Sequence, residues 1–412
     1  MTTEPYLDRR RRLMRTLEDG LILVRGGGPE GVNPNFYYLT GIAEPSAALL
    51  LAPDGVRAGT GRRNPGPDYV HGHMARQVLF LPPTNPLAAR WGEDCSATVE
   101  NADTKQLGVD EIMSTSEMDE VLTVWLGTAS ALRIVRGFSP SLSGAADADT
   151  SFVERARSRF LGLQVHDATP VAHEMRRLKD HGEHEAIKRS IDVTHQALDA
   201  VVSRMADGLL EHELEAEIAR VYRAHGGTHA FEPIVGCGAN ALKLHYTSND
   251  GPVQKGKLLL IDTGVSIQGY KSDITRTLPV GGKFSPRQRE VYEVVLRAQE
   301  EAIAMCRPGV LIGDIHARSF EVIAEAGFGG ADYPHGIGHH LGLETHDVGD
   351  VHLPLEAGAV ITIEPGVYVS GDDVGVRIED DVLITEDGPR VLSAAIPKTV
   401  EDVERWVAQK TA

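Results

Sequence analysis

The chain has 412 residues, 42% of them apolar and 24% charged, an ordinary globular composition with enough chain for two or three domains. Its 59 acidic and 41 basic residues give a formal charge of -18, which argues against a nucleic-acid or anionic-membrane partner because both need clustered positive charge. No stretch approaches the ~20 apolar residues of a membrane-spanning helix. Cys95, Cys237 and Cys306 are widely spaced with no CxxC pair, so they read as free thiols in a reducing, cytoplasmic compartment.

In chain order, MTTEPYLDRRRRLMRTLEDG predicts an amphipathic helix with Leu13, Leu17 and Leu21 inward and the basic run Arg9 to Arg12 on a solvated face. It lacks the apolar core of a secretory signal. The segments GLILVRG, FYYLTGI, AALLLAP and QVLFLPP read as strands divided by Gly, Pro and Asp turns. Gly26 to Gly28 follow a strand, but no GxGxxG opens a helix there, so a dinucleotide site is not expected. The insert GTGRRNPGPDYVHGHMARQ predicts a long hairpin or loop with His71 and His73 exposed, and SGAADADTS near residue 145 reads as a surface loop.

From about Val171 the pattern changes. HEMRRLKDHGEHEAIKRSIDVTHQALDAVVSRM predicts one long amphipathic helix with Ile187, Ile191, Leu198 and Val201 on its apolar face. Further helices are expected over HELEAEIARVYRAHG, from Ser285 as N-cap with Pro286 at the first helical position, and over VLIGDIHARSFEVIAEAG. Strands alternate with these helices. The expectation is a smaller α/β domain over residues 1–168 and an α+β domain over residues 169–412, with helices packed on a mostly antiparallel sheet.

The second half also carries the chemistry. Asp262 ends an apolar run, KLLLIDTG, and Asp273 follows eleven residues later. Gly264 and Gly269 let the chain turn between them, so a hairpin brings both carboxylates to one face. His339 stands in HGIGHHLGLETHDVG beside His335, His340 and His346, with glycines at 336, 338 and 342 that permit close backbone approach. Glu364 precedes Pro365-Gly366 at a strand end, and Arg377 and Glu379 are two residues apart, placing the Arg beside a carboxylate that it can orient. Four carboxylates on apolar strands are costly unless paired or coordinated. Hard oxygen donors with one imidazole suit two divalent cations, Mn2+ first, with Co2+, Fe2+ or Zn2+ as other occupants. Two cations held by bridging carboxylates make water nucleophilic near neutral pH and polarise a carbonyl, which points to peptide hydrolysis. No GxSxG elbow or Cys–His pairing supports covalent catalysis.

At these residues the sequence resembles the "pita-bread" metallopeptidases, the group of methionine aminopeptidase, prolidase and aminopeptidase P. The strings IDTG, SDITRT, HGIGHHLGLETHDVG, TIEPGVY and GVRIEDD reproduce the family's ligand order. FYYLTGIAEPSAALLL and QVLFLPPTNPLAARWGED resemble the amino-terminal domain of aminopeptidase P. The resemblance implies a C-terminal pita-bread catalytic domain behind a smaller α/β domain that serves oligomerisation and substrate access. Asp262, Asp273, His339, Glu364 and Glu379 would hold the metals, with Asp273 and Glu379 bridging. Glu364 would also be the general base, His346 with the metals would steady the oxyanion, and His335 and His346 would hold substrate. His245 would act near the proline nitrogen, and Arg377 would line the site. The implied activity is removal of an N-terminal residue ahead of proline by a homodimer or homotetramer, with Trp91 reaching a neighbour's site. The alternatives are a strict Xaa-Pro dipeptidase and a non-catalytic binding protein. One departure concerns HDVGDVHLPLEAGAVITIEPG, which is short and has no Arg, where relatives carry a longer loop with an Arg directed at substrate.

Overall fold

The computed structural model describes residues 4–28, 31–58, 73–92, 95–137 and 147–410. The chain divides into two compact units, Met1–Arg176 and Arg177–Ala412. His71 and most of the insert around it lie outside the described residues.

The first unit is built on a six-stranded mixed sheet. Its strands are β1 (Leu21–Arg25), β2 (Ala48–Arg57), β3 (Met74–Leu81), β4 (Glu111–Ser114), β5 (Ala131–Val135) and β6 (Gln164–Asp167), ordered β4-β3-β2-β1-β5-β6. The long β2 and β3 pair antiparallel, so the expected hairpin stands, while β1–β5, β3–β4 and β5–β6 are parallel. Central strands of such a sheet are covered on both faces and run continuously apolar. Leu21 to Val24 and Leu49 to Leu51 accordingly all lie in the core, with Leu23, Leu50, Phe80 and Trp125 in one cluster.

Two sequence expectations fail here for identifiable reasons. FYYLTGI is not a strand but the end of a helix, α2 (Pro34–Thr40), which follows α1 (Glu4–Leu17). The Asn33 side chain caps the backbone N–H groups of Asn35 and Phe36, Pro34 opens the helix, and Gly41 closes it at φ 71°. Those stop and start signals outweigh the β preference of Phe and Tyr. The basic run is also not wholly solvated. Arg10 is 1% exposed, and its guanidinium donates to the Gln77 side chain and to the carbonyls of Leu39, Leu107 and Gly108. Arg9 donates to the Tyr38 carbonyl and stacks on its ring. A buried Arg is tolerated when its donors are spent in this way. Leu21 belongs to β1, not to the helix. The expected loop near residue 145 lies partly outside the described residues, and its end is helical: after α3 (Met118–Leu126), Asp147 caps α4 (Ala148–Arg159).

The single long helix expected past Val171 is two helices, α5 (Thr169–Arg177) and α6 (His181–Arg204). Asp180 starts the second, forming a capping box with Glu183, and this local signal divides an otherwise continuous amphipathic pattern. Three further helices form as the sequence expects: α7 (Glu211–Ala224), α8 (Pro286–Met305, capped by Ser285) and α9 (Ile312–Glu325). They accompany short antiparallel sheets. One joins β7 (Ile234–Cys237), β8 (Leu258–Thr263) and β9 (Ile274–Pro279), and another β10 (Val360–Ile363) and β13 (Asp380–Thr385). Between the latter two, β11 (Gly366–Val369) and β12 (Val374–Arg377) make a hairpin. The second unit is α+β.

Candidate active site

The registers of these strands bring the predicted carboxylates together. Asp262 on β8 faces Ile234 on β7 and Thr275 on β9, and Thr263 faces Ile274, so Asp273 lies immediately beside the end of β8. The turn between them depends on Gly264, where a Cβ would sit 1.8 Å from the Ser272 carbonyl oxygen. Gly338 does the same for the histidine segment, since a Cβ there would meet the Thr362 carbonyl at 2.0 Å. That close approach lets residues 337–341 run along β10. Glu364 N–H donates to the Ile337 carbonyl, Thr362 N–H to that of His339, and Leu341 N–H to that of Val360. Of the three glycines singled out in this segment, Gly336 has open space around it, whereas Gly342 packs on Asp347.

One ligand atom each from Asp273, His339 and Glu379 lies within 4.8 Å of the others. His339 Nε2 is 3.5 Å from Asp273 Oδ2 and 3.7 Å from Glu364 Oε1. Its Nδ1 is 3.1 Å from the His340 carbonyl. A carbonyl can only accept, so Nδ1 carries the proton and the Nε2 lone pair faces the carboxylates, as metal ligation requires. Asp262 receives Arg377 Nη2 on Oδ2 at 2.7 Å, while its buried Oδ1 has no hydrogen-bond partner. Glu379 accepts from the Thr275 hydroxyl at 2.7 Å.

Burial, followed by the charges of its neighbouring carboxylates, pushes the Asp273 and Glu379 carboxyls well above the usual range. Glu364 is raised too, chiefly by burial, with His339 and Arg377 opposing. These groups repel one another, and Arg377 is bonded to Asp262 alone among them. Crowded hard oxygens, an orphaned Asp262 oxygen and an imidazole lone pair directed at them together fit a divalent cation.

The ligand candidates line a cavity of about 580 Å³ with His245, His335 and His346. His335 is held at both nitrogens, by the Gly336 carbonyl at 2.9 Å and the Tyr368 hydroxyl at 3.0 Å. Burial, with Arg377 nearby, lowers its pKa to about 4. Tyr368 in turn accepts from Arg377 Nη1 at 2.8 Å. The His346 ring lies 4.1 Å from that of His339, tilted by 56°, and partial enclosure lowers its pKa. The loop carrying His245 is organised by Glu211, fully buried, which accepts from the N–H groups of Cys237 and Gly251, the Asn240 amide and the Tyr246 hydroxyl. Lys179 and Asp347, each 1% exposed at the side chain, pair at 2.9 Å beside the segment of His346.

Eight of the nine predicted site residues therefore line one cavity. Arg377 does not; it is 4% exposed behind the cavity, where it pairs with Asp262 rather than with the nearby Glu379. Outside this unit, His73 lies 3.2 Å from Glu111. Sequence reasoning missed Tyr368, Thr275, Phe231 and Glu232. Thr275 was accessible, because pairing the IDTG and SDITRT strands sets it opposite Asp262. Tyr368 and Glu232 carry no spacing signal.

The model of metallopeptidase family M24 matches residues 185–386, and that of the aminopeptidase P N-terminal domain matches residues 6–135. The Xaa-Pro aminopeptidase of Haemophilus influenzae is 35% identical over 399 residues, covering 90% of this chain and 86% of that protein. The Xaa-Pro aminopeptidase of Escherichia coli is 32% identical over 91% of this chain and 88% of its own. The solved structure of E. coli aminopeptidase P with the inhibitor Pro-Leu superposes at a TM-score of 0.85, with 29% identity over 100% of this chain and 99% of that one.

Proposed function

The chain belongs to metallopeptidase family M24 and carries an aminopeptidase P N-terminal domain, and from that premise we propose how its cavity works. It is a metal-dependent Xaa-Pro aminopeptidase, releasing the N-terminal residue of peptides in which proline follows. The observation that carries this reading is the convergence of Asp262, Asp273, His339, Glu364 and Glu379 on one cavity wall. They would hold two divalent cations, with Mn2+ best matched to the oxygen-rich donor set. When bound, such cations lower the pKa of water toward neutrality and polarise a carbonyl.

The remaining roles fall to this chain's own groups. Asp262, oriented by Arg377, marks the end of the cavity that receives the free α-amine. Glu364, its carboxyl raised by burial, accepts the proton of the attacking water and returns it to the departing nitrogen. Any amide nitrogen needs that returned proton to leave as an amine, and the proline nitrogen, which has no N–H, leaves as a secondary amine. His346, kept neutral at pH 7 by partial enclosure, donates to the oxygen of the scissile carbonyl as charge develops there. His335 is pinned at both nitrogens and so presents a fixed ring to the substrate, and His245 on the opposite loop holds the chain beyond the scissile bond.

The reading extends to a cytoplasmic homodimer or homotetramer joined through the N-terminal unit, where Trp91 and Leu87 are 78% and 65% exposed. Cys237 and Cys306 are buried free thiols, in keeping with a reducing compartment. The test is release of the first amino acid by Mn2+-loaded protein from Xaa-Pro-Yaa, Xaa-Pro and Xaa-Ala-Yaa. Cleavage of Xaa-Pro-Yaa ahead of the other two is expected. Cleavage of the dipeptide alone would make the protein a prolidase.

A further inference from the structure

One carboxylate of the cavity lining stands outside the proposed ligand set. Among the described residues that line it there is no Lys or Arg. The four carboxylates of the proposed ligand set, Asp262, Asp273, Glu364 and Glu379, would be engaged by two divalent cations, and Arg377 pairs with Asp262 from behind the wall. Glu232 lines the same cavity, is exposed, and belongs to no ligand group. No hydrogen bond or ion pair engages its carboxylate among the described residues. Its charge acts on His229, whose pKa burial lowers all the same, so that imidazole is uncharged at neutral pH and does not cancel it. Lys271 passes close by, with Nζ 3.2 Å from the Ala230 carbonyl, but the charges acting on it are those of Glu344, Asp347 and Asp273.

The position of this spare charge matters. Glu232 lies two residues before Ile234, which also lines the cavity and is the direct cross-strand neighbour of Asp262. Asp262 is where the proposed reading seats the free amine, so the side chain of the first substrate residue projects along this wall. We propose that Glu232 is a specificity-determining residue that favours peptides whose first residue carries a cationic side chain, Lys or Arg. The inference rests on the aminopeptidase reading and adds a substrate class to it. A long flexible cation can reach a carboxylate at the rim while its methylene stem lies along Ile234 and Phe231.

The experiment compares kcat/KM for Lys-Pro-Leu, norleucine-Pro-Leu and Glu-Pro-Leu with the Mn2+-loaded full chain, its Glu232→Gln and Glu232→Asp variants, at low and high salt. Norleucine keeps the stem and removes the charge. In the unaltered protein the Lys peptide is expected to exceed the norleucine peptide roughly fivefold, the scale of a solvent-exposed ion pair, with the Glu peptide lowest. Salt should compress that ratio. Glu232→Gln should bring it to about one, mainly through KM, and Glu232→Asp should restore it in part. An unchanged Lys-to-norleucine ratio in Glu232→Gln would overturn the proposal. So would an equal loss on all three peptides, which would mean that Glu232 binds the α-amine common to them. If the unaltered protein cleaves none of the three but does cleave a non-proline peptide, the aminopeptidase reading has failed and the specificity proposal falls with it.

Discussion

Glu379 and Asp380 are adjacent, both essentially inaccessible, and electrostatically opposite. Asp380 is saturated by the protein itself. Arg276 donates to it at 2.7 Å, Lys398 at 2.8 Å, Ser393 at 2.7 Å and Gln299 at 3.0 Å. Burial alone would raise its pKa, but Arg276 and Lys398 hold it well below the usual carboxylate range. Glu379 has one neutral hydroxyl for a partner and other carboxylates for neighbours, and its pKa moves the other way. The same degree of burial thus gives a structural anion where the chain supplies cations, and a cation-seeking site where it does not. That distinction separates Asp273, Glu364 and Glu379 from a cation-saturated acid such as Asp380.

The comparison can be broken from either side. Glu379→Gln should abolish Xaa-Pro-Yaa hydrolysis by at least about 10⁴-fold, or more than ~5 kcal/mol of transition-state stabilisation, while the metal-free protein melts no lower than the unaltered one because a repulsion has been removed. Activity is read by amino-acid release and stability by thermal melting of the chelated proteins. Asp380→Ala should act in reverse, leaving Arg276 and Lys398 buried without their counter-ion at a cost of about 3–5 kcal/mol, seen as a lower urea midpoint.

The two residues should also respond oppositely to pH. Asp380 has a depressed folded pKa, so its contribution is complete above the unfolded value near 4 and is lost as pH falls below it. Asp273 and Glu379 have raised folded pKa values, so the metal-free native state binds extra protons and gains stability as pH falls through that raised range. Relative to its Glu379→Gln variant, in which the same histidines titrate, the chelated protein is therefore expected to gain stability as pH falls from about 8 to about 5.5. Mn2+-loaded protein should show the opposite slope, since protons compete with the cations for the same oxygens. A shared slope would remove the distinction. The smallest effect is expected from Thr275→Val, which deletes the neutral bond to Glu379 and should cost about 1 kcal/mol in Mn2+ affinity, measured by calorimetric titration.

Much of this site was legible because its residues sit at strand ends whose neighbours obey simple periodicity. Asp262 and Asp273 follow from one hairpin, and Gly338 marks the close approach that seats His339 against β10. What escaped was determined by three-dimensional partnership. Arg377 looks in sequence like the companion of Glu379, two residues away, yet its guanidinium reaches across to Asp262 and Tyr368. Arg9 and Arg10 read as solvated because their acceptors are backbone carbonyls some 30 to 100 residues away, invisible to local pattern. FYYLTGI and the break at Asp180 were different failures. There the capping residues Asn33 and Asp180 were present in the sequence and were outweighed by side-chain preference and hydrophobic period.

The most direct test is the metal content of the protein after Mn2+ loading and exhaustive dialysis, determined by emission spectroscopy alongside hydrolysis of Xaa-Pro-Yaa. Two equivalents per chain in active protein, and fewer in the inactive Glu379→Gln variant, are the expected result. Protein that retains no cation and still cleaves Xaa-Pro-Yaa in the presence of a chelator would contradict the account.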